Sequence, residues 1–208
     1  MGSRSHWDNV YRTKRPHEVS WYRPHLDTSL ALIESAVENL GARIVDVGGG
    51  ASTLVDDLLA RGYRNLTVLD LSAAALDVAR SRLGSSASAV DWRCGDVTTT
   101  PLPASEYDLW HDRAVFHFLT RAEDRAAYVR QVRRSVKPGG HVVVATFGAE
   151  GPLKCSGLEV VRYAPDALDG ELGSAFRRVQ HRTELHETPA GKIQPFTYGL
   201  FCFDGREA

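Results

Sequence analysis

Two acids and a run of three glycines stand at spacings that could hold a nucleotide-like ligand. Asp46 lies two residues before Gly48-Gly-Gly50, and glycines let a backbone turn sharply and approach a ligand with no side chain in the way. Ile44, Val45 and Val47 are β-formers, while Ser52 or Thr53 can cap a following helix, so strand, turn and helix come in direct succession. The next strand, Leu66-Thr-Val-Leu-Asp70, ends in an acid twenty residues beyond Gly50. From that position a carboxylate accepts hydrogen bonds from ribose hydroxyls.

A dinucleotide fingerprint, Gly-x-Gly-x-x-Gly, that starts at Gly48 wants a third glycine where Thr53 stands, which weakens a nicotinamide oxidoreductase reading. Asp46 to Gly50 instead reads Asp-x-Gly-x-Gly and resembles motif I of the class I S-adenosylmethionine (SAM) methyltransferases, with Ser52 at the family's usual further glycine. Asp70, Cys94-Gly-Asp96-Val97, Tyr107 to Leu119 and Lys137-Pro-Gly-Gly140 extend the likeness, which covers roughly residues 28 to 203. The resemblance implies SAM as cofactor and S-adenosylhomocysteine (SAH) as product. It would set Asp46 near the cationic methionine end, Gly48 and Gly50 against the cofactor, and Asp70 with neighbouring Leu71 at the second strand's tip. Asp96 would accept the adenine amino group, and Val97 would offer its backbone amide to the ring. The Trp-Asp-x-x-Tyr segment, Trp7 to Tyr11, with Ser20-Trp-Tyr22 behind it, is similar to the N-terminal arm of a subset that includes protein-lysine methyltransferases.

Methyl transfer from a sulfonium is an in-line displacement, so it asks for alignment and desolvation more than for a strong acid or base. A neutral amine or a thiolate needs no base; a hydroxyl or an ammonium does. His111, Asp112 and His117 lie at or just past the fourth strand, where the methyl group should sit, and Asp112 and His117 are the catalytic candidates. Each also has a structural alternative: an ion pair of Asp112 with Arg113 or Arg125, and a packed, backbone-bonded His117. Trp7, Tyr11 and Trp21 are expected to contact the cofactor as part of a lid, or else simply to pack the arm onto the domain. Cys155 and His186 fall in the C-terminal insertions, where they could shape an acceptor pocket, but two such ligands do not make a metal site.

The elements must deliver these groups to one edge. With 208 residues the chain is long enough for one α/β domain and short for two. Residues 1–27 read as an irregular arm without a helix of its own, and residues 28–208 as a single domain. Leu30, Ile33, Val37 and Leu40 recur at helical spacing before the first strand, and Ser72 and Gly84 bracket a helix that leads to a third strand near Ala89 to Arg93. Thr120 to Val136 is an expected helix stopped by Lys137-Pro-Gly-Gly, and His141 to Phe147 an apolar fifth strand. A short helix from Pro165 to Leu172 precedes two extended runs, Phe176 to Glu187 and Gln194 to Phe203, joined as an antiparallel pair. The alternation predicts a doubly wound α/β sheet with helices on both faces; the family likeness implies seven strands in the order 3-2-1-4-5-7-6, the last antiparallel. A net charge of −1 advertises no nucleic-acid partner. Three cysteines without a C-x-x-C pair, no apolar run of membrane length and a polar N-terminus fit a cytoplasmic protein that neither enters a membrane nor carries a signal peptide. A small-molecule acceptor is the leading expectation and a protein lysine the rival. A non-catalytic SAM- or nucleotide-binding module is the reading from another class. No Asp/Asn-Pro-Pro-aromatic motif follows the fourth strand, where Asp112-Arg-Ala-Val stands instead.

Overall fold

A computed structural model describes residues 2–205. Strands β1 (Arg43–Val47), β2 (Asn65–Asp70), β3 (Val90–Cys94), β4 (Tyr107–Arg113), β5 (Val136–Phe147), β8 (Phe176–Glu187) and β9 (Ile193–Phe203) build one sheet. Their order is β3-β2-β1-β4-β5-β9-β8. The first five are parallel, β9 runs antiparallel to β5, and β8 antiparallel to β9. Two further strands, β6 (Lys154–Cys155) and β7 (Leu158–Glu159), form a separate small hairpin. Apart from that hairpin the order is the expected 3-2-1-4-5-7-6.

Strand periodicity divides the core between two faces, because successive side chains point to opposite sides of a sheet. Ile44, Val68, Leu109 and Val143 pack with Leu30 and Ile33 of α2 (Asp27–Ala36) and Leu54 and Leu58 of α3 (Leu54–Ala60). Their neighbours Val45, Leu69, Trp110 and Val144 pack with Tyr128 and Val132 of α5 (Ala122–Ser135) and Leu168 of α6 (Pro165–Leu172). The helix α4 (Ala73–Leu83) starts at Ser72, whose hydroxyl accepts from the Ala75 amide at 3.2 Å, and ends at Gly84.

Three expectations are corrected. The arm is not irregular: Arg4–Thr13 is a helix, α1, capped by the Ser3 hydroxyl, which accepts from the His6 amide at 3.2 Å. Its few apolar residues sit four apart at Trp7 and Tyr11 with Val10 between, too short a stripe to stand out among the polar neighbours. The helix before β1 ends at Ala36, so Val37 and Leu40, expected on its apolar face, lie beyond it. Lys137-Pro-Gly-Gly, expected to separate helix from strand, lies inside β5 as an irregularity: pairing jumps from Tyr107 with Val136 to Leu109 with His141.

Candidate functional site

The glycine turn opens a cleft between the carboxyl ends of β1, β2 and β4 and the N-terminal arm. Gly48 takes a φ of +67° and Gly50 one of +32°, a region that costs a side-chain-bearing residue strain. Added side chains would also collide with neighbours: a Cβ on Gly48 would run into Val115, and one on Gly50 into the Asp70 carboxylate. Ser52 steadies the exit by accepting from the Leu54 amide at 3.2 Å, whereas Thr53 makes no capping bond. From outside, the Arg82 guanidinium donates to the carbonyls of Ala51 (2.9 Å) and Ser52 (2.6 Å) while pairing with Asp56.

Two compartments adjoin over this turn. One, of about 650 Å³, is lined by Gly48, Asp70, Leu71 and Val97 on the sheet side, by Trp7, Tyr11 and Trp21 from the arm, and by Arg113, Val115, Phe118 and Cys155. The other, of about 520 Å³, is lined by Asp46, Gly48, Gly49, His111 and Arg113 and by Tyr11, Trp21, Tyr22 and Arg23. Tyr11, Trp21, Gly48 and Arg113 belong to both. Of the sequence-derived binding candidates, Trp7, Tyr11, Trp21, Gly48, Asp70, Leu71 and Val97 meet in the first compartment. Asp46 lines the second, while Gly50 lines neither and lies against the Asp70 carboxylate. Asp96 lines neither; its Oδ1 accepts from the Thr98 amide (2.8 Å) and hydroxyl (2.6 Å) in a local turn.

The acids of the cleft are strongly perturbed or incompletely bonded. Burial pushes Asp70 up to about 7, against the hydrogen bond its Oδ1 accepts from the Ser72 amide at 2.7 Å, with Asp46 and Asp8 adding repulsion. Asp46 accepts from His111 Nδ1 at 2.7 Å, and His111 Nε2 meets the Ser29 hydroxyl at 2.9 Å, so both ring nitrogens are engaged. The second oxygen of Asp46, Oδ2, is buried with no partner. Arg113 is nearly sealed as well: Nε donates to the Tyr198 hydroxyl (2.8 Å), Nη1 to the Trp21 carbonyl (3.1 Å), and the guanidinium lies 4.4 Å over the Phe196 ring. Its Nη2 has no hydrogen bond and stands 3.7 Å from Glu184.

The two catalytic candidates sit elsewhere. Asp112 falls on the α5 face of the sheet, because it alternates with His111 and Arg113 along β4. Fully buried, it accepts from the amides of Val115 (2.9 Å) and Phe116 (3.1 Å) and from the Tyr128 hydroxyl (2.7 Å), itself bonded by Trp110. Burial raises it to about 6. His117 accepts from the Phe147 amide through Nδ1 at 3.3 Å, and burial, then Arg113, brings it down to about 3. Neither lines the cleft. The bonds tie both to the fold, and not to the ion pairs with Arg113 or Arg125 that the sequence offered for Asp112.

Sequence reading missed Arg113 and Asp8. Period-two alternation from the buried Leu109 marks 109, 111 and 113 as one face, a signal that was there to use. Asp8 accepts from the Ser72 hydroxyl (2.6 Å) and the Ala74 amide (3.3 Å), chiefly the Ser72 bond holding it below the usual carboxylate range. Trp-Asp-x-x-Tyr thus becomes intelligible: Trp7 and Tyr11 face the cleft while Asp8 docks the helix on α4. Cys155 lines the cleft, but His186 does not; its Nε2–H donates to the Ser20 carbonyl at 2.6 Å. Among the described residues no group of three His, Cys, Asp or Glu could hold a metal, and no helix is long and apolar enough to cross a membrane.

Residues 45–144 match the methyltransferase domain family. Ubiquinone biosynthesis O-methyltransferase of Ralstonia nicotianae is 33% identical over 141 residues, 68% of this chain and 56% of that protein. Its counterpart from Alkalilimnicola ehrlichii is 35% identical over 142 residues, 68% of this chain and 54% of that one. The chain therefore spans little more than half the length of the curated relatives it matches. Among solved structures, N-methyltransferase NodS from Bradyrhizobium japonicum in complex with SAH superposes with a TM-score of 0.75 at 16% identity, over 97% of this chain and 99% of that one. Residues 45–144 are thus a methyltransferase domain by sequence match, and the order of the sheet is that of the class I SAM-dependent methyltransferase fold.

Proposed function

We propose that this protein moves the sulfonium methyl of SAM to a small-molecule acceptor, with SAH as the product. The observation that carries the reading is a pair of buried, oppositely charged atoms without hydrogen bonds, Asp46 Oδ2 and Arg113 Nη2, on side chains that both line the compartment at the glycine turn. Polar atoms buried without a hydrogen bond are costly even where, as with Glu184 at 3.7 Å from Nη2, a counter-charge stands nearby, and an amino acid's ammonium and carboxylate would give both atoms a partner. In this reading the methionine end lies there, the ribose at Asp70 and Leu71, and the adenine along Val97 with Asp96 at its edge. Residues 1–27 act as an arm over the domain of residues 28–208. The domain match and the SAH-bound neighbour support the same cofactor.

A small acceptor is favoured over a protein lysine because the arm covers the cleft with Trp7, Tyr11 and Trp21. A cytoplasmic setting fits the free thiols of Cys94, Cys155 and Cys202. Titration with SAM, SAH and NADH, followed by a labelled-methyl screen of small acceptors and peptides, tests the proposal. Binding of SAM and SAH with transfer to a small molecule is expected. Preference for NADH, or SAM binding with transfer only to peptides, would contradict it.

A further inference from the structure

We infer that the acceptor is a small aromatic molecule whose nucleophilic lone pair is already free near neutral pH, such as an aryl thiolate, an acidic phenolate or an aromatic amine, and that no side chain here serves as its general base. The inference rests on the methyl-transfer reading and names the substrate class of the same cleft.

The first ground is the wall. Trp7 meets Trp21 edge to face at 5.8 Å between centroids and Phe118 at 5.2 Å, and Val115 and Cys155 complete the lining beside them. Rings set edge to face leave a slot that suits a flat, apolar-faced guest, which they can contact through further edge and face interactions.

The second ground is the fate of every group near the end of β4 that could take a proton. Asp112 is bonded on the opposite face of the sheet. His111 has both nitrogens engaged. His117 is buried outside the cleft with its Nδ1 occupied by the Phe147 amide. Within the larger compartment the titratable groups besides Arg113 are Asp70, at the ribose end, Tyr11 and Cys155. Burial raises the phenol of Tyr11 and pushes the thiol of Cys155 up to about 12, so both keep their protons. Among the described residues that line it there is no histidine, lysine or glutamate.

The chemistry then closes without a base. A lone pair on the acceptor forms the new bond to the methyl carbon as the carbon–sulfur bond breaks, and that bond's electron pair returns to sulfur to give the neutral thioether of SAH. An anionic acceptor leaves as a neutral ether or thioether and no proton moves; an aromatic amine sheds its proton to water after release. Anion and sulfonium neutralise each other, a change that a water-poor aromatic slot favours over separated charges. A lysine ammonium, with an ordinary pKa of about 10.4, would arrive protonated and find nothing to deprotonate it.

The test is the pH dependence of kcat/KM for a series of ring-substituted thiophenols and phenols of graded acidity. The rising limb should move with each acceptor's own pKa, one for one. A limb fixed at one pH for all acceptors would reveal an enzyme base and overturn the inference. So would SAH binding without turnover of any arene, or faster transfer to aliphatic alcohols or to lysine; failure to bind SAH would instead sink the cofactor reading. Cys155→Phe, which fills the slot, should cut arene turnover at least tenfold, a larger loss than the change in SAH affinity read by titration. Equal turnover in the folded variant would place the acceptor elsewhere.

Discussion

The centre of the sheet and its periphery build their halves of the cleft by different means. At the centre, β1, the glycine turn and β2 present backbone and short acids within a span of a few dozen residues, so local spacing sets the geometry. At the periphery the cleft is closed by contacts between distant parts of the chain: Asp8 with Ser72, His6 with the Ser156 hydroxyl at 3.3 Å, the Trp21 carbonyl with Arg113, and the Ser20 carbonyl with His186. The matched family domain, residues 45–144, contains the central elements and, of the peripheral contacts, only the Ser72 and Arg113 partners. In the proposed reading the centre holds the cofactor and the periphery closes over the acceptor, so each half can be perturbed separately.

The comparison breaks most visibly at the turn. Gly48→Val places a side chain on a left-handed residue against Val115, and SAH affinity should fall by more than a hundredfold, with some loss of thermal stability. A folded variant with full affinity would mean the ligand lies elsewhere. Next in size is Asp70→Ala, which removes an acceptor worth roughly 1.5–3 kcal/mol to the ribose, about ten- to a hundredfold in SAH titration. The same group sets a pH dependence. Ribose hydroxyls donate to its ionised form, and burial holds the free-protein value at about 7. Affinity should therefore be full above that pH and decline as pH falls through it, a slope that Asp70→Ala abolishes.

At the periphery, deleting residues 1–22 should leave a folded core while lowering both SAM affinity and turnover, because the aromatic cover is lost. Closing the arm costs about 1–2 kcal/mol per residue fixed, so amides of Trp7 to Tyr22 should exchange more slowly once SAH is added. Equal exchange with and without ligand, together with normal methylation by the truncated protein, would reduce the arm to a packed tail. The smallest effect is expected at the far anchor. His186→Leu should speed that exchange and weaken SAH binding severalfold, and His186→Gln, whose amide can still donate to the Ser20 carbonyl, should restore most of it. No difference between the two would mean that the hairpin does not hold the arm.

What was legible in the sequence follows the same division. Glycines, Asp70 and the alternation of strands and helices are local signals, and the sheet order followed from their likeness to a known family. Alternation along β4 marks the face of Arg113, but its role is not legible locally, because its partners, Tyr198 and the Trp21 carbonyl, lie 85 and 92 residues away in sequence. Asp112 and His117 were favoured for their nearness to the end of β4, yet alternation turns Asp112 to the α5 side and a short helical turn, Phe116–Phe118, folds His117 into the core. Helix α1 is hard to read in the sequence because its apolar face is only Trp7, Val10 and Tyr11, and its place is fixed by distant partners, Asp8 on Ser72 and Trp7 against Trp21 and Phe118.

The central claim, that Asp46 and Arg113 hold the amino-acid end of the cofactor, is tested most directly by titrating the protein and Asp46→Asn with SAH and with 5′-methylthioadenosine, which lacks that end. Asparagine keeps an oxygen for His111 Nδ1 and removes the charge. The parent should bind SAH more tightly than the truncated nucleoside, and Asp46→Asn should lose about ten- to a hundredfold in SAH affinity, the range of a charged hydrogen bond, with the affinity for 5′-methylthioadenosine unchanged. Unchanged SAH affinity, or an equal loss for both ligands in a folded variant, would contradict the account.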